Sequence, residues 1–434
     1  MTSNTPNIDE AGVTDHLTDV AVVGSGLAGM VAAVDAARAG AAVTLIEART
    51  AVGGRARSER HDGFVVNQGA HALYRTGAAL PILADLGVRW TGRRPRVLGS
   101  GWLAGGRRSS MARLAPIGGT RGLAALVRAA TSGREVERSR GRNMADWLAE
   151  QPERARPALW ALIRTATYQA DMDGSDAHAI LTQFRRGARG VYYLDGGWQT
   201  LVDGLAKVVD AEGVRRLEAK ASAVRPVDGR WAVDVPGGSV VASSVVLATG
   251  GPTDAERLLG DLSPTVSRWA RVAEPVKAST LEVLLSAKPK RRPGAYAVDE
   301  PVYNVDAAAT CRVAPDGGAL VHCLFYEPDR HPDLDPRARM EAALDVWQPG
   351  WRDRVVDVVE RKRMVVAHDR PRLAPAADLP SVVVPDLDGV FLAGDAITTH
   401  GLLADAAVSS GREAGRAAAR HCAVRPQPDR ATTG

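Results

Sequence analysis

The sequence predicts an α/β protein in two halves. One half is discontinuous along the chain and built on parallel strands; the other combines a mixed sheet with helices. Three observations carry this expectation. Residues 19–47 hold an apolar run, a glycine-rich turn, a helix-forming stretch and a second apolar run, in that order. Residues 389–395 form another apolar run, closed by Gly-Asp and followed by an Ala-rich stretch. Between them, apolar segments such as 231–235 and 245–251 recur without a second glycine fingerprint.

Composition sets the frame. The chain has 434 residues, 45% hydrophobic, 24% charged and 5% aromatic, enough for two or three folding units with a sizeable core. A disordered chain, a collagen-like repeat and a disulfide-built miniprotein are excluded. No apolar run approaches the ~18–20 residues of a membrane span. Residues 1–18 are polar and acidic, unlike a secretory signal. Cys311, Cys323 and Cys422 form no C-x-x-C pair, which points to a reducing, cytoplasmic setting and no metal site. The net charge of +5 is uneven, with thirteen arginines and two acids between Arg89 and Arg142. Such an arm suits a membrane surface, a peripheral placement; without an aromatic ladder or a recognised module it does not suit nucleic acid. With only six lysines in the chain, the arginines also fit plain compositional bias and a solvated face.

The first motif is the most informative. Asp19 to Gly24 reads as a buried parallel strand, Met30 to Arg38 as a helix ended by Gly40, and Val43 to Glu47 as a second strand. Between them lies Gly24-Ser25-Gly26-Leu27-Ala28-Gly29. In a dinucleotide-binding βαβ unit, Gly24 makes the tight turn and Gly26 admits a diphosphate. Gly29 lets helix and strand pack closely, and the helix N-terminus favours the anion. Glu47 ends the second strand, where a carboxylate accepts from a ribose and repels a 2′-phosphate, disfavouring NADP. Glycines in this spacing also mark ordinary turns. Here strand, turn, helix, strand and acid occur in order, as in a Rossmann-like unit.

Further segments identify a relative. Glu47-Ala48-Arg49-Thr50-Ala51-Val52-Gly53-Gly54-Arg55 resembles the motif following the ribose-binding acid in the amine oxidase and phytoene desaturase superfamily of FAD enzymes. Asn67-Gln68-Gly69-Ala70-His71 resembles that family's segment beside the flavin ring, and Asp195-Gly196-Gly197-Trp198 its Gly-Gly turn. Gly394-Asp395 and the Gly401-Leu402-Leu403 helix start resemble its C-terminal motif, more in the desaturase-like branch. The resemblance implies non-covalent FAD in a discontinuous Rossmann-like domain at 15–90, 194–260 and 376–424. A mixed-sheet plus helical substrate domain would then span 91–193 and 261–375, with flexible tails at 1–14 and 425–434.

By the same resemblance, Arg55 faces a phosphate, Arg49 the adenine, and Asp395 the ribityl chain or diphosphate. Ala221 offers backbone to adenine from a strand expected over Leu217–Val224. Gln68, Gly69, Ala70, Gly250, Gly394, Gly401, Leu402 and Leu403 border the flavin site. A separate NAD(P)H domain is not expected.

An FAD held in this way accepts hydride from a C–H bond. The stretch Ile397 to Leu403 lacks the aromatic residue that amine oxidases of the superfamily place there. The expectation is therefore an aliphatic-lined pocket in which a hydrophobic substrate is desaturated or oxidised. A redox-neutral isomerase is the alternative, and a non-enzymatic prenyl or lipid binder of the same fold a more distant one. His400 and His71 are the acid/base candidates. Tyr192, Tyr193, Trp198, Tyr303, Asn304 and Tyr326 are candidate pocket residues, though such residues more often serve as core.

Overall fold

The computed structural model describes residues 16–96, 99–288, 290–329, 334–397 and 401–424. Its first sheet has seven strands. Across it run Arg215–Glu218, Val43–Glu47, His16–Val23, Gly238–Leu247, Arg230–Val235 and Ala223–Val227 in that order. Val390–Leu392 pairs with the far end of Gly238–Leu247. The pairings among strands 215–218, 43–47, 16–23, 238–247 and 390–392 are parallel, whereas 223–227 and 230–235 join as an antiparallel meander. Parallel strands are covered on both faces, which is why Val20 to Val23 is an unbroken buried apolar run.

One expected strand is two. Arg215–Glu218 pairs with Val43–Glu47, but Ala223–Val227 pairs with Arg230–Val235. In the break, Ala219 N–H donates to the Glu47 carbonyl and Ser222 N–H to the Asp234 carbonyl. Leu217–Val224 therefore cannot be continuous, because its two ends serve different partners.

The helix Leu27–Arg38 lies against the last helix, Ala404–Val424, and small residues set how closely they approach. A β-carbon on Gly411 would fall 2.3 Å from the Ala28 carbonyl oxygen, and one on Gly415 2.2 Å from that of Ala32. Beside this seam the buried Asp35 accepts from Arg412 at 3.0 Å and Arg416 at 3.2 Å. Both ends of the chain thus finish one layer.

The second sheet runs Val355–Ala367, Val276–Leu285, Ala319–Tyr326, Val302–Asp306, Gly294–Ala297, Gly101–Ala104, Arg107–Ser110. It is antiparallel except where 294–297 meets 101–104. The helix Pro336–Trp347 covers one face, where Met340, Leu344 and Trp347 pack on Leu281, Val283, Cys323 and Phe325. The other face turns toward Gly69, whose β-carbon would meet the Thr280 methyl at 3.4 Å. Covered on both sides, Ala319–Tyr326 is buried along its whole length and does not alternate with solvent. Helices between 119 and 188 form a separate small core around Trp147, Leu159 and Ile180. The Arg-rich stretch supplies the strands 101–104 and 107–110 and the helix Gly119–Thr131; Arg140 and Arg142 pair with Glu137 and Glu150. Among the described residues, no helix is long and apolar enough to cross a membrane.

The close helix seam makes a direct prediction. Alanine normally stabilises a helix interior relative to glycine, yet Gly415→Ala must push two backbones apart. We expect it to lower the unfolding free energy by about 1–3 kcal/mol in urea titration. A gain in stability would show that the two helices do not touch there.

Candidate active site

The site begins where the first strand ends. Gly24 sits at φ +100°, and a β-carbon there would lie 2.5 Å from the Ala248 oxygen, so strand and turn close tightly only with glycine. Gly26 differs. It caps the helix Leu27–Arg38 with no side-chain hydrogen bond, and a β-carbon on it would meet nothing within 4 Å. Open space therefore lies over a helix N-terminus whose first N–H groups have no partner within the helix.

The loop after the second strand folds back over this turn. Gly53 N–H donates to the Ser25 carbonyl at 2.8 Å, and a β-carbon on Gly54 would lie 3.4 Å from the Gly26 Cα. Glu47 accepts from the Ser25 N–H at 2.8 Å, the Ser25 hydroxyl at 2.6 Å and the Arg49 N–H at 3.1 Å. The acid that sequence reasoning gave to a ribose here braces the turn.

Arg55 reaches from that loop to the far end of the chain. Its Nη1 and Nη2 donate to the two oxygens of Asp395 at 3.0 and 2.6 Å, and Nη1 also donates to the Val366 carbonyl at 2.8 Å. Asp395 accepts further from the His368 N–H at 3.1 Å and contacts His368 Nδ1 at 2.8 Å. Burial alone would push this carboxyl up; the Arg55 charge and the His368 bond outweigh it and hold the group below the usual carboxylate range. The His368 ring lies against the backbone of Gly250 and Gly251. Ser410, on the last helix, accepts from the Gly394 N–H at 3.0 Å. Glu47 and Asp395 thus border one continuous structure, joined through Ser25, Gly53, Gly54 and Arg55.

The segment 67–71 forms the next wall. Asn67 Oδ1 accepts from the Ser58 hydroxyl and the Trp198 N–H, which fixes its direction. His71 packs 4.9 Å from the Trp198 ring, and its Nδ1 lies 2.9 Å from the Gly69 carbonyl. A carbonyl only accepts, so Nδ1 carries the hydrogen. Burial lowers the His71 pKa to about 4, leaving the ring neutral near pH 7. A pocket beside it is lined by His71, Asn67, Tyr193, Trp198, Cys311 and His322. His322 stands directly opposite Glu282 on the neighbouring strand, and its Nδ1 is in contact with that carboxylate. Both side chains are buried, giving the pocket an imidazole backed by an acid.

The expected aliphatic lining is overturned by the tyrosines. Tyr296 and Tyr303 pack at 5.1 Å, and Tyr168 and Tyr326 at 6.4 Å. Tyr168, Tyr193, Tyr296 and Tyr303 keep some accessible surface, yet burial raises every one of these phenols, Tyr168 to about 12. Tyr193 lines the crevice beside His71, and Tyr296 and Tyr303 share the sheet face of His322. The aromatic residues missing near the last helix are supplied by the second sheet and by residue 168. Tyr168 holds φ +62°, a left-handed conformation costing a side chain about 1 kcal/mol, and its hydroxyl donates to the Ala70 carbonyl at 2.7 Å.

Other sequence candidates fall elsewhere. Tyr192 turns away to stack on Trp90 at 5.0 Å. Asn304 pairs in register with Ala295 and Cys323, and so belongs to the face under the helix 336–347. Ala221 lies in the break between strands, packed on the first core. Leu402 is buried, and Leu403 at φ +58° precedes a helix that starts at Ala404. His400 lies outside the described residues. Sequence reasoning missed His368, Tyr168, Tyr296 and the Glu282–His322 pair. The pair did leave a signal, since an acid interrupts the apolar run 281–285 and a histidine the apolar run 319–325.

Neutral His71 ties stability to pH. The unfolded chain takes up this proton near pH 6.5, the folded one only near 4. Its contribution is full above about pH 6.5 and is lost as pH falls toward 4, a change of about 2–3 kcal/mol. His71→Gln is expected to flatten that part of the stability–pH curve in urea unfolding. An unchanged slope would refute the buried, neutral ring.

Comparison with known proteins follows the same lines. Residues 22–86 match the family model of an NAD(P)-binding Rossmann-like domain. No curated protein matches the chain in sequence. Solved structures are similar over nearly its whole length. Putrescine oxidase bound to putrescine has 20% identity and a TM-score of 0.71, covering 92% of this chain and 98% of its own. Cyclohexylamine oxidase from Brevibacterium oxydans IH-35A has 18% identity and a TM-score of 0.70, covering 94% and 98%. An oxidoreductase from Methanosarcina mazei has 18% identity and a TM-score of 0.71, covering 91% and 99%. The chain has the fold of these proteins: a discontinuous Rossmann-like α/β half joined to a half of mixed sheet and helices.

Proposed function

We propose that the chain binds FAD non-covalently and is an FAD-dependent oxidoreductase that removes hydrogen from a small organic substrate. The observation carrying this reading is the meeting of the Gly24–Gly29 turn, the Arg55 loop and the Gly394–Asp395 strand end, from opposite ends of the chain. The residues fit the group. The space over Gly26 and the uncapped helix N-terminus suit a diphosphate, and Arg55 adds a planar cation within reach of it. Glu47 is placed to exchange its Ser25 bonds for ribose hydroxyls. Gln68, Gly69 and Ala70 would border the ring system.

When bound, FAD supplies a two-electron acceptor. The chain's own residues do the rest. The second sheet and the segment 67–71 exclude water from the crevice, and its tyrosines position the substrate. The His322 imidazole, oriented by Glu282, is the group placed to take a proton from the substrate. This assigns to His322 the part that the sequence alone gave to His400 or His71.

Gly26→Val tests the cofactor site. Because Gly26 has φ −67° and free space around it, valine leaves the fold intact and fills the diphosphate position. The variant is expected to melt near the wild-type temperature while its flavin absorbance falls to about a tenth or less. Full FAD content in the variant, or a wild-type protein that stays colourless with added FAD, would reject the reading.

A further inference from the structure

The Arg164 side chain is a buried charge without an ion-pair partner among the described residues. It is 5% exposed and donates through Nη2 to the carbonyls of Ala297 and Glu300. Its guanidinium lies 5.0 Å over the Tyr326 ring, and its Nε has no partner. The nearby Glu300 carboxylate is engaged by Arg339. Among the described residues, no carboxylate lies within ion-pair distance of Arg164. Burial lowers its pKa to about 10, which still leaves it charged at neutral pH.

The groups around it share this condition. The Thr167 hydroxyl, the Gln169 amide oxygen, the Tyr326 hydroxyl and the Thr280 hydroxyl are all buried without a partner. Thr167 and Gln169 flank Tyr168; Tyr326 and Thr280 lie on the sheet face that Tyr168 packs against. Unpaired polar atoms are costly in a protein interior, and several of them beside one buried cation and one sheet face mark a site completed by a polar ligand. Tyr168 links that layer to the redox wall through its bond to the Ala70 carbonyl.

We propose that Arg164 anchors a carboxylate on the substrate, whose body lies along Tyr168, Tyr326 and Tyr303 toward His71. A single planar guanidinium with surrounding hydroxyl donors suits a monoanion. A phosphate dianion would call for a second cation, and a bare hydrocarbon would leave the Arg164 Nε and the three hydroxyls without an acceptor. The substrate class is therefore a carboxylic acid with an aromatic or conjugated body, where the family resemblance led us to expect a hydrophobic one. The inference rests on the flavoenzyme reading for the word substrate, but its binding test does not.

The full chain is titrated with benzoate, benzamide and benzylamine, with binding read from the melting temperature and flavin content read separately by absorbance. Benzoate is expected to bind at least about tenfold more tightly than either analogue. Arg164→Gln is expected to weaken benzoate by about tenfold or more and leave benzamide unchanged; Arg164→Lys retains part of the preference. Equal binding of benzamide or benzylamine by the wild type, or undiminished benzoate binding by Arg164→Gln, overturns the proposal. So does a wild type that ignores benzoate. Should Arg164→Gln not fold, the wild-type ranking and Arg164→Lys decide. A colourless protein that still prefers benzoate would discard the flavin and keep the anion site.

Discussion

The ion pair between Arg55 and Asp395 joins positions 340 residues apart, and the geometry of the site depends on it. Asp395 is nearly fully buried, whereas Arg55 keeps considerable exposure, so the pair spans from the protein interior to the mouth of the cleft. A buried carboxylate is tolerated only when its oxygens are satisfied, and Arg55 and His368 together fill them. Removing Arg55 would leave a charge in the interior with half its partners. The pair is thus a clamp that fixes the glycine-rich loop relative to the last strand, and through Ser25 it fixes Glu47 as well.

From this clamp the two sheets divide the work. The first offers helix and strand ends, where backbone N–H groups point at open space. The second offers side chains, and those that border the site lie on one face. Leu281, Val283, Cys323 and Phe325 on the opposite face make an ordinary apolar contact with a helix. The polar row formed by Tyr296, Tyr303, His322 and Glu282 is therefore not a failure of packing. It sits over the one loop, Asn67 to His71, that belongs to both halves of the site.

Much of the nucleotide half was legible because its signals are local. A strand, a glycine turn and a helix occupy consecutive residues, and each glycine answers a contact within its own neighbourhood. The Gly-Asp strand end and the Ala-rich last helix were legible for the same reason. The crevice was not, because its walls depend on strand register. Tyr303 and His322 stand near one another only when Val302–Asp306 and Ala319–Tyr326 pair as they do, and a one-residue slip would exchange Tyr303 for Asn304. Sequence reasoning could not choose between those two and named both. Tyr192 and Tyr193 posed the same problem on a single strand, where only one of the two can face inward. A composition poor in tyrosine also says nothing of how the few are gathered, and Tyr296 and Tyr303 meet only through strand pairing.

The seam between the first and last helices has a consequence for how the protein is made. Ala28 and Ala32 emerge from the ribosome some 380 residues before Gly411 and Gly415. Strand 390–392 and the helix after it complete the first sheet, so the nascent N-terminal unit waits with an apolar flank uncovered while some 370 residues are added. The residues of the second half lie between these two helices in sequence and must be accommodated before the seam can close. A polypeptide cut short before residue 404 therefore keeps the helix Leu27–Arg38 bare along this seam.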